Sequence, residues 1–391
     1  MKKEEKFLIK ICNAYLYKQN ITLDESIDYS RLFSVCREHN LIAIAFAVIK
    51  NSPNKGAVPA ATYKLFEDGF YETIVKYDSQ TGVIDDINRL FSDNEIRHIF
   101  FKGAEIREYY PVPEVRAMGD IDVLIDRENN GAARELLTAN GYELKNSNGP
   151  VNDYLKNGVL IELHTKIVSG KVGSSNAESG FESAMSNAEY NGLCGRLNAD
   201  YQLAYLITHI AHHFWFYGAG IKLILDLAVV QKKFDIDYDR VLNILDDIGL
   251  KKFGQVILTL CSKWFNLGPS YCHDISITQE FVTSFGAFGN AKRNKAAVVT
   301  RKQLEDGKKP SPVMSRLRLL FPPYSKMKNI PYIKFIENRP WLLPIAWIYR
   351  LFYNLKHRRS LVADANNGLG SRQVTAQAEN ELEYFKEIGL L

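Results

Sequence analysis

The run GDIDVLID at 119–126 alternates polar and apolar residues, and IELHTKIV at 161–168 begins in the same way. Successive side chains of a strand point to opposite faces. Ile121, Val123 and Ile125 therefore turn toward a core, while Asp120 and Asp122 sit side by side on the other face. In the second run Ile161, Leu163 and Thr165 share one face, and Glu162 and His164 share the other. Such a chain needs a sheet with one face buried and one face kept for charge. Two carboxylates held that close repel unless a cation sits between them, and hard divalent cations prefer oxygen ligands. If the two strands are neighbours, Glu162 becomes a third carboxylate on the same surface. The plain alternative is a solvated strand edge with no role in chemistry.

The rest of the chain fits an α+β arrangement. Residues 1–93 read as helices: Leu32, Val35, Leu41, Ile44 and Val48 recur at three- and four-residue steps, and Tyr63 to Phe91 does likewise before Asp93-Asn94 closes it. A short strand, RHIFF at 97–101, ends at Lys102-Gly103. Ala104 to Tyr110 suits a short helix stopped by Pro111 and Pro113. Asn130 to Asn140 predicts a helix capped by Gly141, and Lys156-Asn157-Gly158 predicts a hairpin turn between strands at 154–155 and 159–168. Residues 94–170 thus make a small mixed-sheet core. A helical domain over 171–288 follows, then a polar linker or exposed loop at 289–312, then a basic, aromatic-rich helical region at 313–391.

Composition narrows the class. The net charge of +4 is too mild to argue for nucleic acid, and five scattered cysteines with no CxxC pair fit reduced thiols rather than a disulfide framework or zinc site. The opening MKKEEKFLIKICNAYLYKQN is broken by Lys10 and Asn13, so it reads as an amphipathic helix rather than a signal peptide. No run reaches the roughly 18 apolar residues of a spanning helix. The expectation is a cytoplasmic protein.

Three carboxylates with one or two Mg²⁺ ions are what phosphoryl chemistry requires, because the metals bridge phosphate oxygens and neutralise developing charge. Lys102-Gly103, opening a short helix, can hold a triphosphate through backbone amides. FKGAEI, the arginine of RAMGDIDVLID, and IELH together resemble the uncharacterised nucleotidyltransferase family of the polymerase-beta-type superfamily. More distantly, the chain is similar to abortive-infection nucleotidyltransferase toxins and aminoglycoside nucleotidyltransferases. The resemblance implies a small nucleotidyltransferase core flanked by N- and C-terminal helical domains. It implies Mg²⁺ (or Mn²⁺) on Asp120, Asp122 and Glu162, with Lys102 and Gly103 at the NTP. The acceptor is left open among a small molecule, a peptide, a tRNA and a protein. One departure stands out: Ala104 occupies the place where many superfamily members carry a phosphate-binding serine or glycine. That supports one alternative, a catalytically inactive nucleotide- or partner-binding module; a second, a toxin-type enzyme modifying tRNA or protein, is a subclass of the enzyme reading with the basic C-terminal half as acceptor platform.

Other residues have more than one reading. Arg116 either meets the triphosphate or orients Asp120 or Asp122. His164 either contacts the acceptor or supports the ligands from behind, or is a satisfied polar residue at a strand end. His209 and His213 lie four apart on one helix face, which tempts a zinc reading without a third ligand. Lys222 and Asp226, also four apart, are either a surface pair or parts of a helical domain closing the site. In the second case Lys222 faces the phosphates, and Asp226 or His209 faces the acceptor. Finally, residues 316–359 carry many Lys and Arg, with Glu337 alone as counter-charge and Trp341 and Trp347 interleaved. That pattern suits either helices with a basic outer face or a contact with a membrane surface or anionic polymer; in the toxin-type reading Arg316, Arg318 and Lys326 would bind the acceptor.

Overall fold

Four α-helices precede the sheet: α1 (Lys3–Leu16), α2 (Tyr29–Glu38), α3 (Ile42–Ile49) and α4 (Ala60–Asp93). The computed structural model of the chain describes residues 1–168, 172–173, 175–284, 286, 301, 304, 320–328, 330–357 and 372–391. α4 has two jobs, and its buried residues separate them. In its first half Phe66 meets Phe33 of α2 and Phe70 meets Phe46 of α3, with ring centroids 5.1 and 5.2 Å apart. In its second half Val83, Ile87 and Phe91 lie in the core under the sheet. Four-residue steps keep each set on one side of the helix.

The sheet has seven strands among the described residues: β1 (His98–Phe101), β2 (Asp120–Ile125), β3 (Glu143–Asn148), β4 (Val151–Lys156), β5 (Val159–His164), β6 (Ala188–Asn191) and β7 (Cys194–Leu197). Their order is β3-β4-β5-β2-β1-β7-β6. β2 runs antiparallel to β1 and parallel to β5, with Asp122 directly opposite Glu162. The β4–β5 hairpin turns at Asn157 and Gly158, both at positive φ (52° and 78°), as a two-residue turn matched to strand twist demands. Between β1 and β2 lies the short helix α5 (Gly103–Ile106), and between β2 and β3 lies α6 (Asn130–Ala139), followed by Gly141 at φ 81°.

One sheet face is the core. Ile121, Val123, Ile125, Ile161 and Leu163 pack there with Ala133 and Leu137 of α6. Each such side chain contributes about 1.5–3 kcal/mol of burial. The other face carries Asp122, Glu162 and His164. It lies beneath α8 (Ala199–Phe216), which is preceded by α7 (Ala177–Gly180) and followed by α9 (Ile221–Lys233), α10 (Tyr238–Asp247), α11 (Lys251–Phe265) and α12 (Ser276–Ser284). Phe101 of β1 links the layers, with its ring 5.1 Å from that of His164 and 5.8 Å from that of Tyr205.

Two expectations shift at the edges. The sheet does not stop at 170, because β6 and β7 return from the segment expected to be wholly helical and pair alongside β1. The strands flanking Asn157-Gly158 span 151–156 and 159–164, and β3 adds a polar edge strand.

The chain divides into two compact units, residues 1–290 with 389–391, and residues 291–388. The expected linker at 289–312 lies outside the described residues except for Arg301 and Leu304, as do Arg316 and Arg318. Arg301 is buried and donates to Glu381 at 3.0 Å. The described helices of the second unit are α13 (Tyr324–Met327), α14 (Leu343–His357) and α15 (Arg372–Glu387).

Candidate active site

β1 delivers the chain into a turn at Lys102, whose φ of 50° and ψ of −124° is unusual for a residue with a side chain. The next residue must be small. A Cβ on Gly103 would stand 2.7 Å from Nη1 of Arg116 and 2.8 Å from Sδ of Met118. The loop before β2 therefore packs directly on the turn. In this conformation Lys102 reaches across to Asp122, with Nζ 2.5 Å from Oδ1.

Asp122 is almost wholly buried, at 2 % exposure. His164 Nε2 lies 3.1 Å from Asp122 Oδ1 and 3.2 Å from Glu162 Oε2. Asp122, Glu162 and His164 each present an atom able to ligate a metal within 4.8 Å of the others. Among the described residues this is the one such group of three or more. Asp120, expected as the second half of a metal pair, is outside it. Strand register supplies the reason. Asp120 stands opposite Leu160, whereas Asp122 stands opposite Glu162 and Leu124 opposite His164, so the charge centres one residue pair further along the strand.

The electrostatics follow from burial set against partners. Burial pushes the Asp122 carboxyl up, but Lys102 and His164 outweigh it and hold the group down at about 2. Asp120 lacks such partners. Burial, then repulsion from Asp122, raises it to about 6. Burial lowers His164, yet its hydrogen bonds to Asp122 and Glu162 win and leave it raised. Lys102 is likewise held in its charged form by Asp122 against burial. The two carboxylates suit an oxygen-preferring cation such as Mg²⁺ or Mn²⁺, while His164 is hydrogen-bonded to both of them, and the Lys102 ammonium answers the charge that a cation would answer.

Of the two readings of Arg116, the one in which it orients Asp120 or Asp122 does not hold. It hydrogen-bonds neither Asp120 nor Asp122; instead its Nε and Nη2 donate to the two oxygens of Asp226 at 2.9 and 2.8 Å. Tyr110 donates to the same carboxylate at 2.6 Å. Lys222 Nζ stands 3.7 Å from it, and both helix residues are buried, so the surface-pair reading of Lys222 and Asp226 does not hold. Burial and the nearby Arg116 outweigh Asp226 and depress Lys222 to about 8. Nη1 of Arg116 is buried with no hydrogen-bond partner, beside Gly103. Around it a cavity of about 70 Å³ joins Lys102, Gly103, Asp120, Asp122 and Lys222.

A larger cavity, about 230 Å³, adjoins the same cluster and is lined by Glu162, His164, Tyr205 and His212, with Lys102 and His209 shared between the two. His209 and His213 face each other, Nε2 to Nε2 at 3.1 Å. Burial lowers both, His213 to about 3, so the pair is neutral. No third ligand joins them among the described residues, so the zinc alternative has no site there. Sequence reasoning missed Tyr205. Its hydroxyl is buried without a hydrogen-bond partner, and its place four residues before His209 was the available signal.

The model of a family described as an uncharacterised nucleotidyltransferase matches residues 25–266, well over half of the chain. No curated protein and no solved structure matches it.

Proposed function

Since the chain belongs to the uncharacterised nucleotidyltransferase family, we propose that it moves a nucleoside monophosphate from an NTP to an acceptor hydroxyl, releasing pyrophosphate, with Mg²⁺ or Mn²⁺ as cofactor. The observation that carries this reading is the cluster of Asp122, Glu162 and His164 between two adjoining cavities that share Lys102 and His209. The smaller cavity offers cations and a glycine turn. Lys102, Lys222 and the unpartnered Nη1 of Arg116 would there meet one phosphate group of the triphosphate, with Gly103 allowing close approach. Asp122 and Glu162 would hold the metal, with His164 as third ligand or support and Asp120 at the edge toward Lys222. When bound, the metal supplies charge neutralisation at the phosphates.

The larger cavity is the acceptor's side. The acceptor oxygen attacks the α-phosphorus, the bond from that phosphorus to the β-bridging oxygen breaks, and pyrophosphate leaves. Glu162, half-buried and facing both the cluster and the larger cavity, takes the hydroxyl proton. Lys102, paired with Asp122, would turn its charge to the phosphates, and Asp122 would then be free to hold the metal. His209, held neutral, is placed to accept a hydrogen bond from the acceptor, whereas Asp226 is taken up with Arg116, Tyr110 and Lys222 and serves to fix them. Positioning and charge do most of the work, as in phosphoryl transfer generally.

Ala104 supports a second reading, binding without turnover, because it brings no hydroxyl to the phosphate turn. A toxin-type acceptor such as a tRNA or protein is a subclass of the first reading. Calorimetric titration of each of the four NTPs, with Mg²⁺ and again in EDTA, tests the shared premise. Metal-dependent binding that Asp122→Asn abolishes is the expected result. Binding unchanged by EDTA and by that substitution would remove the metal site from the account.

A further inference from the structure

Residues 316–359 contain ten Lys or Arg and one acidic residue, Glu337. The described part of this stretch builds a small core of its own. Ala346 of α14 packs with Met327, Ile333 and Ile336, and Trp347 of the same helix donates Nε1–H to the Pro322 carbonyl at 2.8 Å. That core uses one side of α14. Ile345, Ile348, Tyr349 and Phe352 are 57, 58, 46 and 69 % exposed. Their spacing of three, four and seven residues from Ile345 puts them in one stripe. Trp341, 71 % exposed, extends it from the 3-10 turn (Pro340–Leu342) that leads into the helix. Lys326, Lys328 and Arg339 are also exposed.

Isolated exposed apolar residues are ordinary, but a continuous stripe of five large ones marks a contact surface. We propose that this face docks on an anionic lipid surface, with α14 lying in the interface plane. Trp341, Ile345, Ile348 and Phe352 enter the acyl boundary, and the exposed Lys326, Lys328 and Arg339 meet acidic headgroups. Charge complementarity selects the partner: the stretch is almost purely cationic, while the stripe itself is apolar and free of charge. A nucleic acid groove would need cations and stacking rings along the contact line, and the two isoleucines at its centre serve neither purpose. The contact is interfacial, because α14 has 15 residues and no described helix is long and apolar enough to cross a membrane. Long basic side chains at such a boundary reach the headgroups while their stems cover apolar surface.

Co-sedimentation of the full chain with vesicles is the test, using phosphatidylcholine alone and phosphatidylcholine mixed with phosphatidylglycerol. The protein is expected to pellet with the anionic vesicles and to be released by salt. Ile345→Ser/Ile348→Ser/Phe352→Ser should lower partitioning by about tenfold or more with an unchanged thermal melt, since these side chains support nothing in the fold. Lys326→Glu/Lys328→Glu/Arg339→Glu should remove the preference for anionic lipid. Failure to pellet with either vesicle, or equal pelleting with both, overturns the proposal. A dimer that the serine variant converts to monomer assigns the face to a second copy of the chain and also overturns it. Salt-sensitive binding of an RNA oligomer that competes with the vesicles and survives the serine substitutions would overturn it as well.

Discussion

The two faces of β2 and β5 are built from alternate residues of the same two strands, and both are buried. Ile121, Val123, Ile161 and Leu163 are fully enclosed on one side, and Asp122 is nearly so on the other. The contrast lies in what enclosure requires. The apolar face needs only shape and volume. On the charged face each buried ion must have a partner, because a buried charge left alone costs several kcal/mol. Asp122 has Lys102 and His164; Asp226 has Arg116, Tyr110 and Lys222. One face stores stability, while the other stores charge that a substrate can reorganise.

Asp122→Asn strikes the charged face hardest. It should reduce kcat by at least about 10²–10³-fold and leave the protein folded, which steady-state kinetics beside a thermal melt would establish. A comparable loss of Tm instead would make the cluster structural. Next comes Asp226→Ala, which leaves Arg116 buried and unpaired. About 3–5 kcal/mol of stability should be lost in urea unfolding, and KM for the NTP should rise as Arg116 and Lys222 lose their anchor. If KM stays constant, this network belongs with the core face. On the apolar side, Ile161→Ala should cost about 2–5 kcal/mol while kcat of the folded enzyme is kept, the reverse of the Asp122 result.

The smallest effect concerns Lys222, depressed from its ordinary 10.5 to about 8. Its ammonium is lost as pH rises through 8, so kcat/KM for the NTP should fall there, and Lys222→Arg should move the fall to higher pH. Stability moves the other way. Between about 8 and 10.5 the unfolded chain holds a proton on this lysine that the folded chain has released, so stability from this group rises with pH across that window. A flat pH profile of kcat/KM would remove Lys222 from the phosphate side.

Much of this contrast was legible in the sequence, because a period of two assigns faces without knowledge of the fold. Alternation alone put Asp120 with Asp122, and Glu162 with His164, on charged faces and their neighbours in the core; joining the two pairs depended on the strands being neighbours. Register is another matter. The one-pair offset that sets Glu162 opposite Asp122, and Leu160 opposite Asp120, depends on how two parallel strands slide, which no local pattern records. The Arg116–Asp226 pair is 110 residues apart in the chain and is equally invisible. β6 and β7 are four residues each and largely polar, too short to outweigh the helical signal after them, although Asn191-Gly192 marked their turn. Tyr205 was hidden by the apolar character of α8, in which a tyrosine reads as core.

Pyrophosphate release measures the central claim most directly. The full chain is given Mg²⁺, each NTP in turn and a cell extract as acceptor source, with Asp122→Asn in parallel. The account predicts metal-dependent release from the wild-type chain and none above background from the variant. Tight NTP binding with no release would contradict it and leave the fold as a binding module.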